Sequence, residues 1–356
     1  MRSKAVVAIL ICMCAIAMIA GCAKKQAATP PTPPTSPTAN TAGGTATGRG
    51  GKTIRIAMIA KSSTNPVFLS ARTGAEAAAK DLSKKYNINI TIDWRTPPTE
   101  DGQIQAQRIA QAVNDGVNVV LVSCSDASKV TGAINDAVGR GVPVMTFDSD
   151  APDSKRFAFY GVDDIKTGQM TMAELAKQMG GKGKVAILAG NQNAPNLRKR
   201  VEGAKTEAAK SPGIKIVGTF YHIETPQDAA AEVIRVQNAN PDIQGWAMIG
   251  GWPLFTKTLL TDLDPKKVKV VAVDALPAEL PYVEKGIAPV LLAQPTYKWG
   301  YVSVEKIIDK VYLKKDVPAI NHMDLVRVDK ATLGTWARQL KDWGFTDVPQ
   351  KYLDMK

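Results

Sequence analysis

The chain has 356 residues, with 45 Lys and Arg against 33 Asp and Glu, a formal charge of +12. Only His222 and His322 are present, so a His-rich metal centre or a Ser–His catalytic pair has little material. The lysines are scattered rather than clustered, which marks an acid-poor soluble protein rather than one drawn to anionic polymers or lipids.

The first segment sets the compartment. Arg2 and Lys4 precede an apolar run from Ala5 to Ala20, and small residues follow. A charged start, a greasy middle and a small-residue cleavage site make a secretory leader. The run has 16 residues, short of the roughly 20 needed to span a bilayer. Ile19-Ala20-Gly21-Cys22 resembles the bacterial lipobox, so residues 1–22 are expected to be a lipoprotein leader with Cys22 the lipidated residue. Removing Arg2 and Lys4 leaves 43 basic residues against 33 acidic ones, or +10. Export excludes cytosolic chemistry that depends on ATP or NAD. Cys12 and Cys14 leave with the leader and Cys22 carries lipid, so Cys124 alone remains and no disulfide framework exists. Its neighbours, Val-Leu-Val-Ser before it and Ser after it, predict a buried, inert thiol.

Residues 23–51 are nearly all Ala, Thr, Pro, Gly and Ser. They cannot bury a core and are expected to form a disordered spacer. From Thr53 the pattern changes. Thr53 to Ala60 is a strand-like apolar run, and Pro66 suits the first turn of a helix reaching about Tyr86. Strands follow near 88–94, 117–123 and 143–148, with helices near 100–115 and 126–141. Further strands fall near 184–190, 214–220, 245–250, 268–274 and 289–294, each expected to precede a helical stretch. Apolar strands alternating with amphipathic helices predict an α/β protein with parallel sheets covered on both faces. The count is too high for one sheet, and residues 156–162 interrupt the alternation, which favours two lobes over a barrel.

In open α/β sheets ligands sit beyond the carboxyl ends of the strands. Those ends carry Lys61, Ser62, Asn65 and Phe68, then Trp94, then Ser123 and Asp126, then Asp148 and Asp150. In the second half they carry Asn191, Trp252, Asp274 and Gln294. Gly180-Gly181-Lys182-Gly183 precedes a strand and is a turn, not a phosphate loop.

An ordered set of stretches resembles the ribose-binding type of periplasmic sugar-binding protein of ABC importers. Asn65-Pro66-Val67-Phe68 followed by Gly74 resembles the family's opening, and Gly141-Val142-Pro143-Val144 leads to Asp148. Tyr160 to Asp164 with Gly168, then Arg200-Val201-Glu202-Gly203, Val270 to Asp274 and Leu292 to Pro295 continue it in order. The resemblance implies two Rossmann-like lobes joined by a three-crossover hinge, the type I periplasmic binding protein fold. The lobes are expected at 52–162 with 295–324 and at 163–294 with 325–356. It also implies a monomer without cofactor or metal that captures a small sugar and hands it to a membrane permease.

A monosaccharide offers a ring of hydroxyls and apolar C–H faces. Carboxylates accept from adjacent hydroxyls, a guanidinium donates a fork, amides do both, and aromatic rings cover a face. Asp148 and Asp274 are the expected carboxylates, Arg200 the fork, Asn65 and Gln294 the amides, and Phe68 and Trp252 the rings. Lys61, Ser123 and Asp150 complete the expected set, with Asp150 either meeting ligand or ordering the crossover. Asp148-Ser149-Asp150 stands where ribose binders carry Asp-Arg, Ser123 replaces an Asn, and Lys61 resembles relatives that bind rhamnose or autoinducer-2. The pocket is therefore expected to be rebuilt for a sugar other than ribose. Glu224 is a weak further candidate. A sensory lipoprotein is the alternative. A glycosidase using the two aspartates would need only a pair about 5–10 Å apart, but no hydrolase motif accompanies them. The leader and linker stand where a DNA-binding head would be, which excludes nucleic acid as a partner.

Overall fold

The computed structural model describes residues 51–355; the expected leader, the Cys22 lipidation site and the linker up to residue 50 lie outside the described residues. The first sheet takes β1 (Thr53–Ile59), β2 (Asn89–Trp94), β3 (Val119–Val122), β4 (Val144–Phe147) and β5 (Ala158–Gly161). The second takes β6 (Gly183–Ala189), β7 (Ile214–Tyr221), β8 (Ile243–Met248), β9 (Lys269–Val273) and β10 (Val290–Ala293). Each gains one short strand from the C-terminal part, β11 (Ile320–His322) and β12 (Val326–Val328) respectively. The helices are α1 (Pro66–Tyr86), α2 (Gly102–Asn114), α3 (Ala127–Gly139), α4 (Asp164–Gln178), α5 (Pro195–Ala208), α6 (Pro226–Ala239), α7 (Leu280–Lys285), α8 (Thr296–Val311), α9 (Leu333–Asp342) and α10 (Gln350–Leu353).

The strand orders are β11-β5-β4-β3-β1-β2 and β12-β10-β9-β8-β6-β7, all pairs parallel except β10 with β12. Both sheets therefore repeat one doubly wound order. The chain turns back between β1 and β3 in one, and between β6 and β8 in the other. Side chains at the strand ends flanking such a reversal face an open crevice. The short central strands, such as Val119-Val120-Leu121-Val122, are buried along their whole length, as strands covered on both faces must be. The chain passes between the sheets after β5, after β10 and between β11 and β12.

Helix α1 begins at Pro66 and ends at Asn87, whose left-handed backbone (φ 53°) closes the helix with Lys84 and Lys85 in its last turn. It packs against α8, and α4 packs against α5, both at very close range. Glycines allow this approach. A Cβ on Gly74 would lie 1.9 Å from the Tyr297 carbonyl oxygen, and one on Gly300 1.8 Å from that of Ala71. Gly168 and Gly203 stand likewise against the carbonyls of Arg200 and Ile165, at 1.9 and 2.0 Å. Trp246 and Trp299 fill the two cores, and Trp336 is buried with its indole N–H donating to the Ala275 carbonyl.

Two expectations need correction. β8 is followed by only a 3-10 turn, Trp252–Leu254, because Pro253 and the two preceding glycines do not sustain an α-helix. Residues 158–161, expected to interrupt the alternation, are the fifth strand of the first sheet, paired with β4 and β11.

Candidate functional site

The matched strands β4 and β9 end alike. Asp148 and Asp274 are the next residues, with φ of 56° and 83° in the left-handed region that L-residues rarely adopt. Each backbone N–H bonds the neighbouring strand, Asp148 to the Tyr160 carbonyl (3.1 Å) and Asp274 to that of Leu292 (3.0 Å). This turns both carboxylates off the sheet edges into one cavity between the sheets. Backbone strain held in place by a sheet is typical of sites where a side chain must be aimed.

Around Asp148 runs one hydrogen-bond chain. Ser123 Oγ donates to its Oδ2 (2.7 Å), and Asn196 Nδ2 to its Oδ1 (3.2 Å). Lys61 Nζ in turn donates to Asn196 Oδ1 (3.3 Å), so Asn196 bridges two groups of the opposite sheet. Around Asp274 runs a second. Gln294 Nε2 donates to its Oδ1 (2.8 Å), and the Gly251 N–H to its Oδ2 (3.3 Å). Arg200 donates to Gln294 Oε1 (2.9 Å), to Asp164 Oδ1 (2.8 Å) and to the Ile249 carbonyl (3.2 Å). Three of its five N–H groups are thus committed, and two remain. Burial pushes the Asp164 carboxyl up to about 6 despite the Arg200 guanidinium beside it. Asp274 is raised for the same reason, with Gln294 and Arg200 opposing.

Asn65 Oδ1 caps α1 by accepting from the Val67 N–H (3.2 Å), which leaves its NH2 group at the cavity wall. Phe68 lines the cavity while stacking on Trp299, ring centres 6.1 Å apart. Trp252 forms another wall, with the His222 ring edge-on at 4.9 Å. Lys61, expected at the ligand, is 2 % exposed. The carboxylates facing it, Glu100, Glu224 and Asp148, outweigh its desolvation and raise its pKa, so it stays charged. The free space here is about 30 Å3, enough for one or two water molecules. Admitting a sugar ring requires the two sheets to part or Asn196 to withdraw.

The structure thus brings Lys61, Asn65, Phe68, Asp148, Arg200, Trp252, Asp274 and Gln294 together. Ser123 stands behind Asp148 and holds it. Asp150 is a correction. Its carboxylate takes a fork from Arg156 (2.5 and 2.6 Å) and a bond from Thr146 Oγ1 (2.6 Å), so both oxygens are spent within the first sheet. Trp94 lies under Arg72, away from the cavity. Cys124 is fully buried, and burial pushes its thiol up, in keeping with an inert residue.

A family model described as periplasmic binding protein domain matches residues 56–315. The chain belongs to this family. The ribose import binding protein RbsB of Escherichia coli is 26% identical over 283 residues, covering 77% of this chain and 90% of that protein. RbsB of Bacillus subtilis is 30% identical over 152 residues, 43% of this chain and 48% of its own length. Among solved structures, an ABC transporter solute-binding protein from Burkholderia graminis in complex with D-arabinose has a TM-score of 0.74 at 25% identity, covering 79% of this chain and 96% of that one. One from Actinobacillus succinogenes with bound D-allose has a TM-score of 0.69, also at 25% identity, covering 78% and 98%. Members of this family are non-enzymatic solute-binding proteins, and the fold is the type I periplasmic binding protein fold.

Sequence reasoning missed Asn196, Glu100 and Gln105. Asn196 follows Pro195 at the start of α5, where an Asn reads as a local turn residue. Gln105 is fully buried and ties two strand ends together. Its Nε2 donates to the carbonyls of Ala60 (3.0 Å) and Ser123 (2.7 Å), and its Oε1 accepts from the Ser125 N–H (2.8 Å). Nothing in a helical polar residue signals this role in advance.

Proposed function

We propose that this chain is the solute-binding component of an ABC importer, taking a monosaccharide or sugar-like molecule between its lobes and presenting it to a membrane permease. The observation that carries this reading is the pairing of Asp148 and Asp274, one at the same strand end of each sheet, facing one cavity with Arg200, Gln294 and two aromatic walls. Acceptors, donors and ring faces in that arrangement replace the hydration of a polyol. The relatives' names describe ribose import, and the structural neighbours hold arabinose and allose. Those names describe import and sugar binding, so the sensory alternative is not favoured.

The lobes are taken as 52–162 with 295–324 and 163–294 with 325–356, and the ligand, touching both, shifts the balance toward the closed form. Ligand residues are Lys61, Asn65, Phe68, Asp148, Asn196, Arg200, Trp252, Asp274 and Gln294. The protein works as a monomer, without catalysis, tethered by lipid on Cys22 outside the cytoplasm. No helix among the described residues is long and apolar enough to cross a membrane.

Isothermal titration of the purified chain with D-ribose, D-arabinose, D-allose and related hexoses tests the reading. Binding of at least one, lost in both Asp148→Asn and Asp274→Asn, is the expected result. Failure of every sugar to bind overturns it.

A further inference from the structure

The cleft continues beyond the cavity just described. Outward of it lies a chamber of about 550 Å3, bounded by Ser62, Thr64 and Glu100 on one side and Asn191, His222 and Glu224 on the other. Glu224 lines both spaces and so forms the wall between them. A ligand seated on Asp148 and Asp274 therefore has room to extend past Glu224.

The buried polar atoms of that wall that lack a partner are of one kind. Glu100 precedes the Asp101 cap of α2, and Glu224 follows β7, so they come from opposite sheets. Both oxygens of Glu100 are shut off from solvent and accept no hydrogen bond. Its carboxyl lies against that of Glu224. Glu224 Oε1 accepts from the Asn191 N–H (2.8 Å). His222 Nδ1 meets the Ile223 carbonyl (2.7 Å), which can only accept, so the proton is on Nδ1 and Nε2 is a bare acceptor. That Nε2 is buried and without a partner. The buried positions left open, the two Glu100 oxygens and His222 Nε2, all call for donors.

Charge points the same way. Among the described residues, Glu100, Asp148, Glu224 and Asp274 line the two spaces with two cations, Lys61 and Arg200, in a chain whose net charge is +12. Arg200 is paired with Asp164. Lys61 hydrogen-bonds Asn196 and makes no ion pair among the described residues. An acidic cleft in a basic protein selects for a cation.

We propose that the natural ligand is a sugar or cyclitol bearing a protonated amine, with the polyol ring on Asp148 and Asp274 and the –NH3+ group between Glu100 and Glu224. This rests on the sugar-binding reading and narrows it. An ammonium brings three donors and one positive charge to a wall that has open acceptors and excess negative charge. A hydroxyl brings one donor and leaves the charge unbalanced. Burial first, and Glu224 second, push the Glu100 carboxyl well above its usual range, with Lys61 opposing. The rival source of positive charge is thus a proton on Glu100.

Titration calorimetry of the purified full chain separates the two. D-glucosamine, D-galactosamine and D-mannosamine are compared with their parent hexoses, which match their size, and with their N-acetyl derivatives, which keep the nitrogen and lose the charge. The expected result is an amine bound at least about tenfold more tightly than both its parent and its N-acetyl form near neutral pH, a gap of about 1.4 kcal/mol. That gap shrinks to about twofold or less in both Glu100→Gln and Glu224→Gln, each checked for folding by its melting curve. Parents bound as tightly as their amines overturn the inference, as does a gap that survives both substitutions. Neutral sugars that bind with uptake of one proton, read from the buffer dependence of the heat and lost in Glu100→Gln, assign the charge to the proton and also overturn it. In those cases sugar binding stands. Absence of binding by every sugar, neutral or amino, overturns both.

Discussion

Replacing Gly168 by Ala joins packing to recognition in a single measurement. The new Cβ would lie 1.9 Å from the Arg200 carbonyl oxygen, whereas ordinary contact begins near 3.4 Å, so α4 and α5 must part locally by about 1.5 Å. Forced overpacking of this kind costs about 1–3 kcal/mol. The displaced residue is Arg200 itself, whose guanidinium is fixed by Asp164, the Ile249 carbonyl and Gln294 within 2.8–3.2 Å. A shift of that size breaks at least one of these bonds and loosens Gln294 from Asp274. Each charge-assisted bond is worth about 1.5–3 kcal/mol, so sugar affinity is expected to fall about tenfold or more. Chemical denaturation measures the first effect and titration with a bound sugar the second. Gly132 supplies the control. It lies in α3 with open space where a Cβ would stand, nothing coming within 4 Å, so Gly132→Ala is expected to stabilise by up to about 1 kcal/mol. A Gly168→Ala protein within about 0.5 kcal/mol of the parent, with unchanged affinity, would refute the close seating of α4 on α5.

Asparagine tolerates left-handed backbone, so Asp148→Asn and Asp274→Asn remove charge without adding strain; each is expected to weaken sugar binding about 100-fold, with small changes in melting temperature. Asp150→Ala behaves oppositely, because it strands the buried Arg156: stability drops by about 3–5 kcal/mol in denaturant titration while affinity at the remaining folded fraction changes little. Gln105→Leu leaves two carbonyls and one N–H of the strand ends without partners and is expected to cost about 1–3 kcal/mol, again by denaturation. For pH, the folded state holds the Asp164 proton more tightly than the unfolded chain does. The associated stability is present in full below about pH 4 and is lost as pH rises through about 6, a change of about 3 kcal/mol. Glu100, Asp274 and Glu279 are raised by burial and add in the same direction. Unliganded protein should therefore melt at a lower temperature near pH 8 than near pH 5, and a flat profile counts against the buried, raised Asp164.

What the sequence made legible follows from length and repetition. Strands such as Val119–Val122 and Val144–Phe147 are buried throughout and so read as unbroken apolar runs. The capped start of α1 at Asn65-Pro66 was readable for a similar reason, since cap and proline are adjacent. β11 and β12 have three residues each and lie at sheet edges, too short for any periodicity to show. Asp148 and Asp150 look identical from sequence, both acidic residues beyond one strand. Arg156, six residues on and folded back, decides that one faces the cavity and the other does not. Glu100 escaped notice because Asp101 beside it explains itself as a helix cap, and only β7 brings Glu224 opposite.

The glycine-seated helix pairs also limit where the proposed hinge between the two sheets can lie. Because α8 is pressed backbone-to-backbone onto α1, and α4 onto α5, each crossing helix moves as part of the body it lands on. Rotation is left to the few residues between strand end and helix start: Val162 and Asp163 after β5, Gln294 and Pro295 after β10, and the stretch between His322 and Val326. Gln294 belongs to that pivot and also holds Asp274 and Arg200. On the proposed function the residue that feels the cargo is therefore part of the joint, and occupancy would be converted into angle without any intervening relay.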